Sequence, residues 1–153
     1  MTREQKYPNT DTFHFFNANP KGRYTTDCVI RALSAAMDKP YNEIVMELAK
    51  LQCETGCDRS EKEAYGKYLE SYGWKKMKQP KKSNGTKYTG EAFCKKMTRE
   101  NPNGEIGNIV AHIGGHHLVC IKPITTIRDK LRYKVYDTWD STQGCIGNYW
   151  TKD

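Results

Sequence analysis

The chain has 153 residues, enough for one domain whose core needs neither a metal nor disulfides, and we expect a single domain over residues 1–153. It is 28% charged, and no apolar run approaches the length of a bilayer span, which excludes an integral membrane protein of the helical type. The start of the chain lacks an apolar stretch of the signal-peptide type. We therefore expect a cytoplasmic protein whose six cysteines are mostly reduced thiols.

The formal charge of +7 permits weak, salt-sensitive attraction to nucleic acid or to another acidic partner. Much of the excess lies between Lys75 and Lys96, around a Gln-Pro and an Asn-Gly turn signal. A solvated loop or rim is the favoured interpretation of this region, and nucleic-acid contact is the minority alternative.

Residues 1–24 show no sustained period, so they are expected to form an irregular arm whose aromatic cluster at 13–16 packs on the core. Thr25, Thr26 and Asp27 are all good N-cap residues, and apolar residues at helical spacing follow them. This pattern predicts a first helix over about residues 27–37.

Three further helices are predicted after the break at Asp38-Lys39-Pro40. The second carries an apolar stripe from Tyr41 to Leu51, the third spans 61–72 and ends at Gly73, and a short one lies near 89–97. The period then changes to that of strands, at 109–113, 117–121 and 133–136, which predicts an antiparallel meander. Helices followed by a small antiparallel sheet indicate an α+β domain in which the helical part packs on the sheet.

Cys28 is the candidate nucleophile because it falls in the first turn of the first helix. The unpaired N–H groups and the positive end of the helix dipole stabilise an anion there, which lowers a thiol pKa from about 8.5. We expect Asp27 to turn to the backbone as a capping residue. Cys94 and Cys120 lie inside apolar runs and fit a packing role better.

His116 and His117 flank the start of a strand and point to opposite faces, so only one of them can face the cysteine. Lys122 shares a face with His116, which indicates that this face is exposed and favours His117 as the base, with His116 still open. Asp137 ends the following strand and can orient the imidazole if the two strands pair. Asp140 is the second candidate for the residue that orients the imidazole. For both aspartates, ordinary hydrogen bonding within a turn is the alternative interpretation.

The combination of Cys28 at a helix start, His117 opening a strand and Asp137-Thr138-Trp139 at a strand end resembles the papain-like cysteine peptidase superfamily. More narrowly, segments around Cys28, His117, Asp137 and the terminal Gly147-Asn148-Tyr149-Trp150 look like small papain-like proteins of bacterial phages and prophages. This resemblance implies a nucleophile helix packed on a small antiparallel sheet, a Cys/His/Asp triad without a cofactor, and acyl transfer on a peptide or other amide substrate.

Papain-like enzymes also carry an amide donor for the oxyanion, usually a Gln six residues before the cysteine. That position is Gly22 in this chain. By this resemblance Asn19, or else Asn17, is the candidate that supplies the side-chain N–H from the arm.

Two other classes of function compete with the thiol enzyme. Cys53 and Cys57, with the distant histidine pair, offer ligands for a zinc site, but adjacent histidines that point apart do not share an ion well. A non-catalytic phage-type protein that binds a host protein or nucleic acid through its basic surface is the second alternative.

Overall fold

The computed structural model describes residues 1–126, 128 and 130–152, and within them the chain is an α+β protein, as predicted. Five helices and six strands follow in chain order: α1 Arg3–Lys6, β1 Phe13–Phe15, α2 Cys28–Met37, α3 Tyr41–Thr55, α4 Lys62–Ser71, β2 Trp74–Met77, α5 Gly90–Glu100, β3 Ile109–Ile113, β4 His117–Thr125, β5 Leu131–Asp137 and β6 Ile146–Lys152.

The strands form one mixed sheet in the order β1-β5-β4-β3-β6-β2. The predicted meander of β3, β4 and β5 is confirmed as antiparallel. β6 adds to β3 and β2 adds to β6, both antiparallel, while β1 pairs with β5 in parallel. The mixed character of the sheet thus comes from β1 alone among the described strands.

The prediction that residues 1–24 form an irregular arm was wrong in part, since they contain α1 and β1. Thr2 caps α1 through a reciprocal pair of hydrogen bonds with Gln5. β1 is only three residues long and is held by backbone pairing to β5, so it has no period that a sequence pattern could reveal. The expected packing of the aromatic cluster is correct for Phe13, which is fully buried, whereas Phe16 is exposed.

The sheet is covered on both faces. One core joins α2, α3 and α4 to Val110, Leu118, Cys120 and Trp150 of the sheet. The second core places Phe93, Cys94 and Met97 of α5 against the opposite face. The sequence predicted that the helical part packs on the sheet but did not assign α5 to a face of its own. α5 supplies the second layer, and this explains why the central strands are apolar on both faces.

The lysine-rich region contains the edge strand β2, with Lys75 and Lys76, followed by a loop closed by a bridge between Lys81 and Lys87. The last residues of the region, including Lys95 and Lys96, belong to α5, so a loop or rim describes only the part before Gly90. Within the described residues no helix is both long and apolar enough to cross a bilayer.

Candidate active site

The register of β4 and β5 brings His117 close to Asp137. Cys120 pairs with Tyr136, so extending the register by one residue places Asp137 opposite Val119, diagonally across from His117. Side chains two residues apart in register share one face of the sheet. His117 Nε2 lies 2.6 Å from Asp137 Oδ2, a hydrogen bond at the end of the sheet where β4 begins and β5 ends.

Cys28 lies beside His117 because α2 begins at Cys28 and packs against β4. Its thiol is a hydrogen-bond partner of His117 and also receives the backbone N–H of Leu118. Burial raises the pKa of Cys28, but the hydrogen bond with His117, the Leu118 N–H and the nearby positive charges outweigh it and hold the pKa below its ordinary value. The half-buried sulfur is therefore biased toward the thiolate.

The pKa of His117 shifts in the opposite direction to that of Cys28. Burial lowers its pKa, but the hydrogen bonds with Asp137 and Cys28, together with the charges of both groups, raise it to about 9. An imidazolium with a pKa of about 9 beside a thiol with a lowered pKa favours a thiolate–imidazolium pair near neutral pH.

Asp137 is almost completely buried and is held by four donors. His117 and Ser141 Oγ reach its Oδ2, and Arg31 Nη1 and the Thr138 N–H reach its Oδ1. Burial raises the pKa of Asp137, but these hydrogen bonds outweigh burial and keep the pKa below its usual range. The hydrogen bond with His117 makes the largest lowering contribution. The carboxylate is thus ionised and fixed in orientation.

The expectation that Asp27 turns to the backbone was wrong. Asp27 occupies the N-cap position of α2 without a side-chain capping bond. Its carboxylate instead accepts from Arg31 Nε at 2.8 Å, from Tyr41 Oη at 2.7 Å and from Asn19 Nδ2 at 3.2 Å. A charged guanidinium is a stronger partner than a backbone N–H, so the side chain points along α2 rather than back onto its first turn.

Asn19 therefore donates to Asp27, and Asn17 Nδ2 donates to the backbone carbonyl of Arg23. The structure places the side-chain N–H groups of both amides on acceptors within residues 17–27. Asp140 accepts from the backbone and hydroxyl of Thr142, which is the ordinary turn chemistry weighed against its catalytic role.

His116 and His117 differ in their surroundings, but for a different reason from the one that the sequence suggested. The strand face that carries Lys122 was expected to be exposed, and this was wrong, since Leu118 and Cys120 on that face are buried beneath α2. His116 is exposed in the turn before β4, while His117, the first residue of the strand, reaches both Cys28 and Asp137.

A cleft of about 240 Å³ opens beside the sulfur and is lined by Cys28, Val29, Ser60, Lys62, Tyr65, His112, Gly115, His116, His117 and Leu118. A neighbouring groove of about 590 Å³ shares Lys62, His112 and Gly115 with this cleft and is also lined by Lys87 and Asn148. A separate cleft of about 300 Å³ lies on the other side of His117, against Trp139 and Ile113. His117 thus borders both clefts, whereas Cys28 lines only the first of them.

Sequence reasoning missed Arg31, Ser141 and Tyr65, and it named Trp139 only as part of the motif that carries the resemblance. The Asp27/Arg31 pair at helical i,i+4 spacing was a usable signal, because an arginine inside an otherwise apolar helix needs an acidic partner. Ser141 lies four residues after Asp137, but nothing in the local pattern marks its hydroxyl as a donor to that carboxylate. The Trp139 ring lies 5.1 Å from the His117 ring and shields it.

The remaining cysteines do not share this environment. Cys94 and Cys120 are fully buried, which agrees with a packing role, and burial raises the pKa of Cys120 to about 12. Cys53 and Cys145 are exposed. In the part of the chain that the structure describes, no group of three or more His, Cys, Asp or Glu residues is placed to hold a metal ion.

No protein-family model, curated protein or solved structure gives a significant match to this chain. The inference of function therefore depends on the geometry of the residues themselves.

Proposed function

We propose that this protein is a thiol-dependent acyl-transfer enzyme of the papain-like type, with Cys28 as nucleophile, His117 as acid and base, and Asp137 as the residue that orients His117. The observation that carries the proposal is the contact chain from the Cys28 thiol through His117 to a buried Asp137, at the mouth of a cleft. Nucleophilic catalysis by cysteine needs this combination of a lowered pKa, a base and an orienting group.

The reaction would begin with attack of the Cys28 thiolate on an amide or ester carbonyl. Because Nε2 of His117 is engaged with Asp137, Nδ1 is the ring nitrogen left to serve the sulfur and the leaving group. The imidazolium protonates the departing amine or alcohol, which leaves a thioester on Cys28. The neutral imidazole then deprotonates water or an acceptor amine, whose attack on the thioester breaks the C–S bond, releases the acyl group and restores the thiolate and imidazolium.

The negative oxygen of the tetrahedral intermediate needs hydrogen-bond donors. The N–H groups of the first turn of α2 have no intrahelical acceptor, and they lie at the positive end of the helix dipole. We propose that the backbone N–H of Cys28 fills this role. The side-chain amide expected from Asn19 would first have to leave Asp27.

The papain-like assignment is supported by the order of the elements as well as by the residues. The nucleophile begins a buried helix, the base begins the strand beneath that helix, and the acid ends the neighbouring antiparallel strand. Asp137 takes the place of the more usual Asn, and the buried Arg31 balances the charge that this replacement introduces.

Selective alkylation tests the proposal. The protein is treated with limiting iodoacetamide near neutral pH, and the modification of each cysteine is followed by peptide mapping. We expect Cys28 to react at least about tenfold faster than the exposed Cys53 and Cys145, because thiolate fraction governs the rate. His117→Ala should remove most of this advantage, and His116→Ala, which changes the adjacent exposed histidine, is the matched control.

Equal labelling of Cys28, Cys53 and Cys145 would overturn the proposal. That result, together with a tight interaction that weakens steeply with salt and survives Cys28→Ala, would favour the non-catalytic alternative of binding to nucleic acid or to a host protein.

A further inference from the structure

The two sides of the proposed nucleophile differ in charge. On the α4 side, the cleft at Cys28 and the neighbouring groove are lined by Lys62, Lys87, His112 and His116, and no aspartate or glutamate is among the described lining residues. On the opposite side, the cleft against Trp139 and Ile113 contains Asp140 and has no lysine or arginine among its described lining residues. The site is therefore electrostatically asymmetric about His117.

The lysines of the α4 side are not neutralised by the protein. Within residues 1–126, 128 and 130–152, neither Lys62 nor Lys87 forms an ion pair with a carboxylate. The carboxylate of Asp58, two residues before the lining residue Ser60, accepts from the backbone and hydroxyl of Ser60. By contrast, Lys67, Lys95 and Lys96 on the helices are each paired with a glutamate one turn away.

The titration behaviour of the cleft is consistent with a positive potential. Burial lowers the pKa of Lys62, and the charge of Lys76 lowers it further. Burial, Lys62, Lys76 and His116 together lower the pKa of His112 to about 4, so that this ring is neutral near neutral pH and hydrogen-bonds to the Tyr65 hydroxyl. Lys62, which has no carboxylate partner among the described residues, lines the cleft that contains the thiol, and Lys87 lines the neighbouring groove.

We propose that the α4 side of this cleft is a subsite for a carboxylate, so that the enzyme acts on acyl compounds bearing an acidic group next to the reactive carbonyl. Lys62 and Lys87 supply the charges. The Trp139 side receives an uncharged or apolar group. This substrate class depends on the proposed function, because it is defined relative to a reacting Cys28.

The same chemistry could come from an acidic side chain or from the carboxylate at the end of a peptide. Both present a planar anion that two ammonium groups can bind. The two sources are distinguished by competitors that differ only in which carboxyl group is free: the α-amide of N-acetylglutamate keeps the side-chain carboxylate, and N-acetylglutamine keeps the terminal one.

The test compares two alkylating agents of nearly the same size. Iodoacetate is an anion and iodoacetamide is neutral, so the ratio of their rates at one cysteine measures the local potential, while the iodoacetamide rate alone measures the nucleophile. We expect the ratio at Cys28 to fall about two- to fivefold in Lys62→Gln and again in the double variant with Lys87→Gln, and to fall with added salt in the wild type. Lys50→Gln is the control variant. It removes the same charge from α3, at a residue that lines neither the cleft nor the groove, and should leave the ratio unchanged.

The two proposals fail in different ways. A slow iodoacetamide reaction at Cys28 would overturn the proposal that the protein is a thiol enzyme. A fast iodoacetamide reaction, with the same ratio of iodoacetate to iodoacetamide rates in the wild type and in the double variant, would overturn the carboxylate subsite alone. Protection of Cys28 from iodoacetamide by either competitor, lost in the double variant, supports the subsite and assigns the source of the carboxylate.

Discussion

Arg31 Nη1 lies 2.9 Å from Asp137 Oδ1, and both side chains are buried. The same guanidinium contacts Asp27 through Nε at 2.8 Å, so one cation on the nucleophile helix joins the helix start to the end of β5. The fork geometry of arginine allows this double contact, which a lysine could not reproduce. Arg31 is therefore a positioning residue: it holds Asp137, which in turn orients His117.

Arg31→Ala should destabilise the protein by about 3–5 kcal/mol, because it leaves two buried carboxylates without their cation. The free energy of unfolding in urea measures this. Lys95→Ala is the matched control, since it breaks an ion pair with Glu91 that is largely exposed and is expected to cost about 0.2–1 kcal/mol. Equal losses in the two variants would contradict the structural role of Arg31.

Asp137→Asn should change the pH dependence of the thiol as well as its reactivity. The hydrogen bond with Asp137 is a principal reason why the pKa of His117 is raised to about 9. An amide removes the charge and can present an N–H to the imidazole, which disfavours the imidazolium, so the pKa of His117 should fall toward 6.5 and the pKa of Cys28 should rise. An unchanged pH profile of Cys28 alkylation in this variant would show that Asp137 does not act through His117.

In the wild type, the rate of Cys28 alkylation by iodoacetamide should rise less steeply between roughly pH 6 and 8 than that of free cysteine, because the pKa of Cys28 is lowered. Free cysteine, labelled in a parallel reaction, is the reference, and its rate should rise about tenfold per pH unit over that interval. Parallel profiles for Cys28 and free cysteine, followed by mass spectrometry of the labelled products, would contradict the lowered pKa.

The His117–Asp137 pair also predicts how stability depends on pH. The folded-state pKa of His117 is raised from 6.5 to about 9, so its contribution is fully present below about pH 6.5 and is lost as the pH rises through the folded pKa. Asp137 has a lowered pKa, and its contribution is present above 3.8 and is lost as the pH falls below that value.

These stability measurements are best made with Cys28→Ala as the reference, since the lowered pKa of the thiol acts in the opposite sense to that of His117. The unfolding free energy of Cys28→Ala should decrease between pH 6.5 and the folded-state pKa of His117, and His117→Gln in the same background should abolish that decrease. A decrease of the same size in both proteins would assign it to other groups.

Gly90→Ala tests the packing that supports the site. A Cβ at Gly90 would lie 2.7 Å from Ile113 Cδ1 and 3.1 Å from the Thr142 backbone, in the segment that positions Ser141. We expect a loss of about 1–3 kcal/mol, because the backbone of this segment must move. Gly107→Ala is the control, since no atom lies within 4 Å of its added Cβ, and its unfolding free energy should stay within about 1 kcal/mol of the wild type.

Much of the fold could be predicted from the sequence because its signals are local. The α2 boundaries follow from capping types and apolar spacing, and β3, β4 and β5 follow from their alternation and the glycine turn between Ile113 and His117. β1 and β2 escaped prediction because they are three and four residues long and are held by backbone pairing to distant strands. The second face of the sheet escaped because a strand buried on both sides has no polar alternation to show which helix covers it.

The sequence by itself determined which residue types were available, Cys28 at a helix start, His117 at a strand start and Asp137 at a strand end, since each of these contexts is set by neighbours within a few residues. Only the tertiary structure decided that these residues meet, that His116 stays outside in the turn, and that Arg31 joins Asp27 to Asp137. Those contacts span up to 106 residues of chain, and they depend on strand register and on the docking of α2 over β4, which no local pattern encodes.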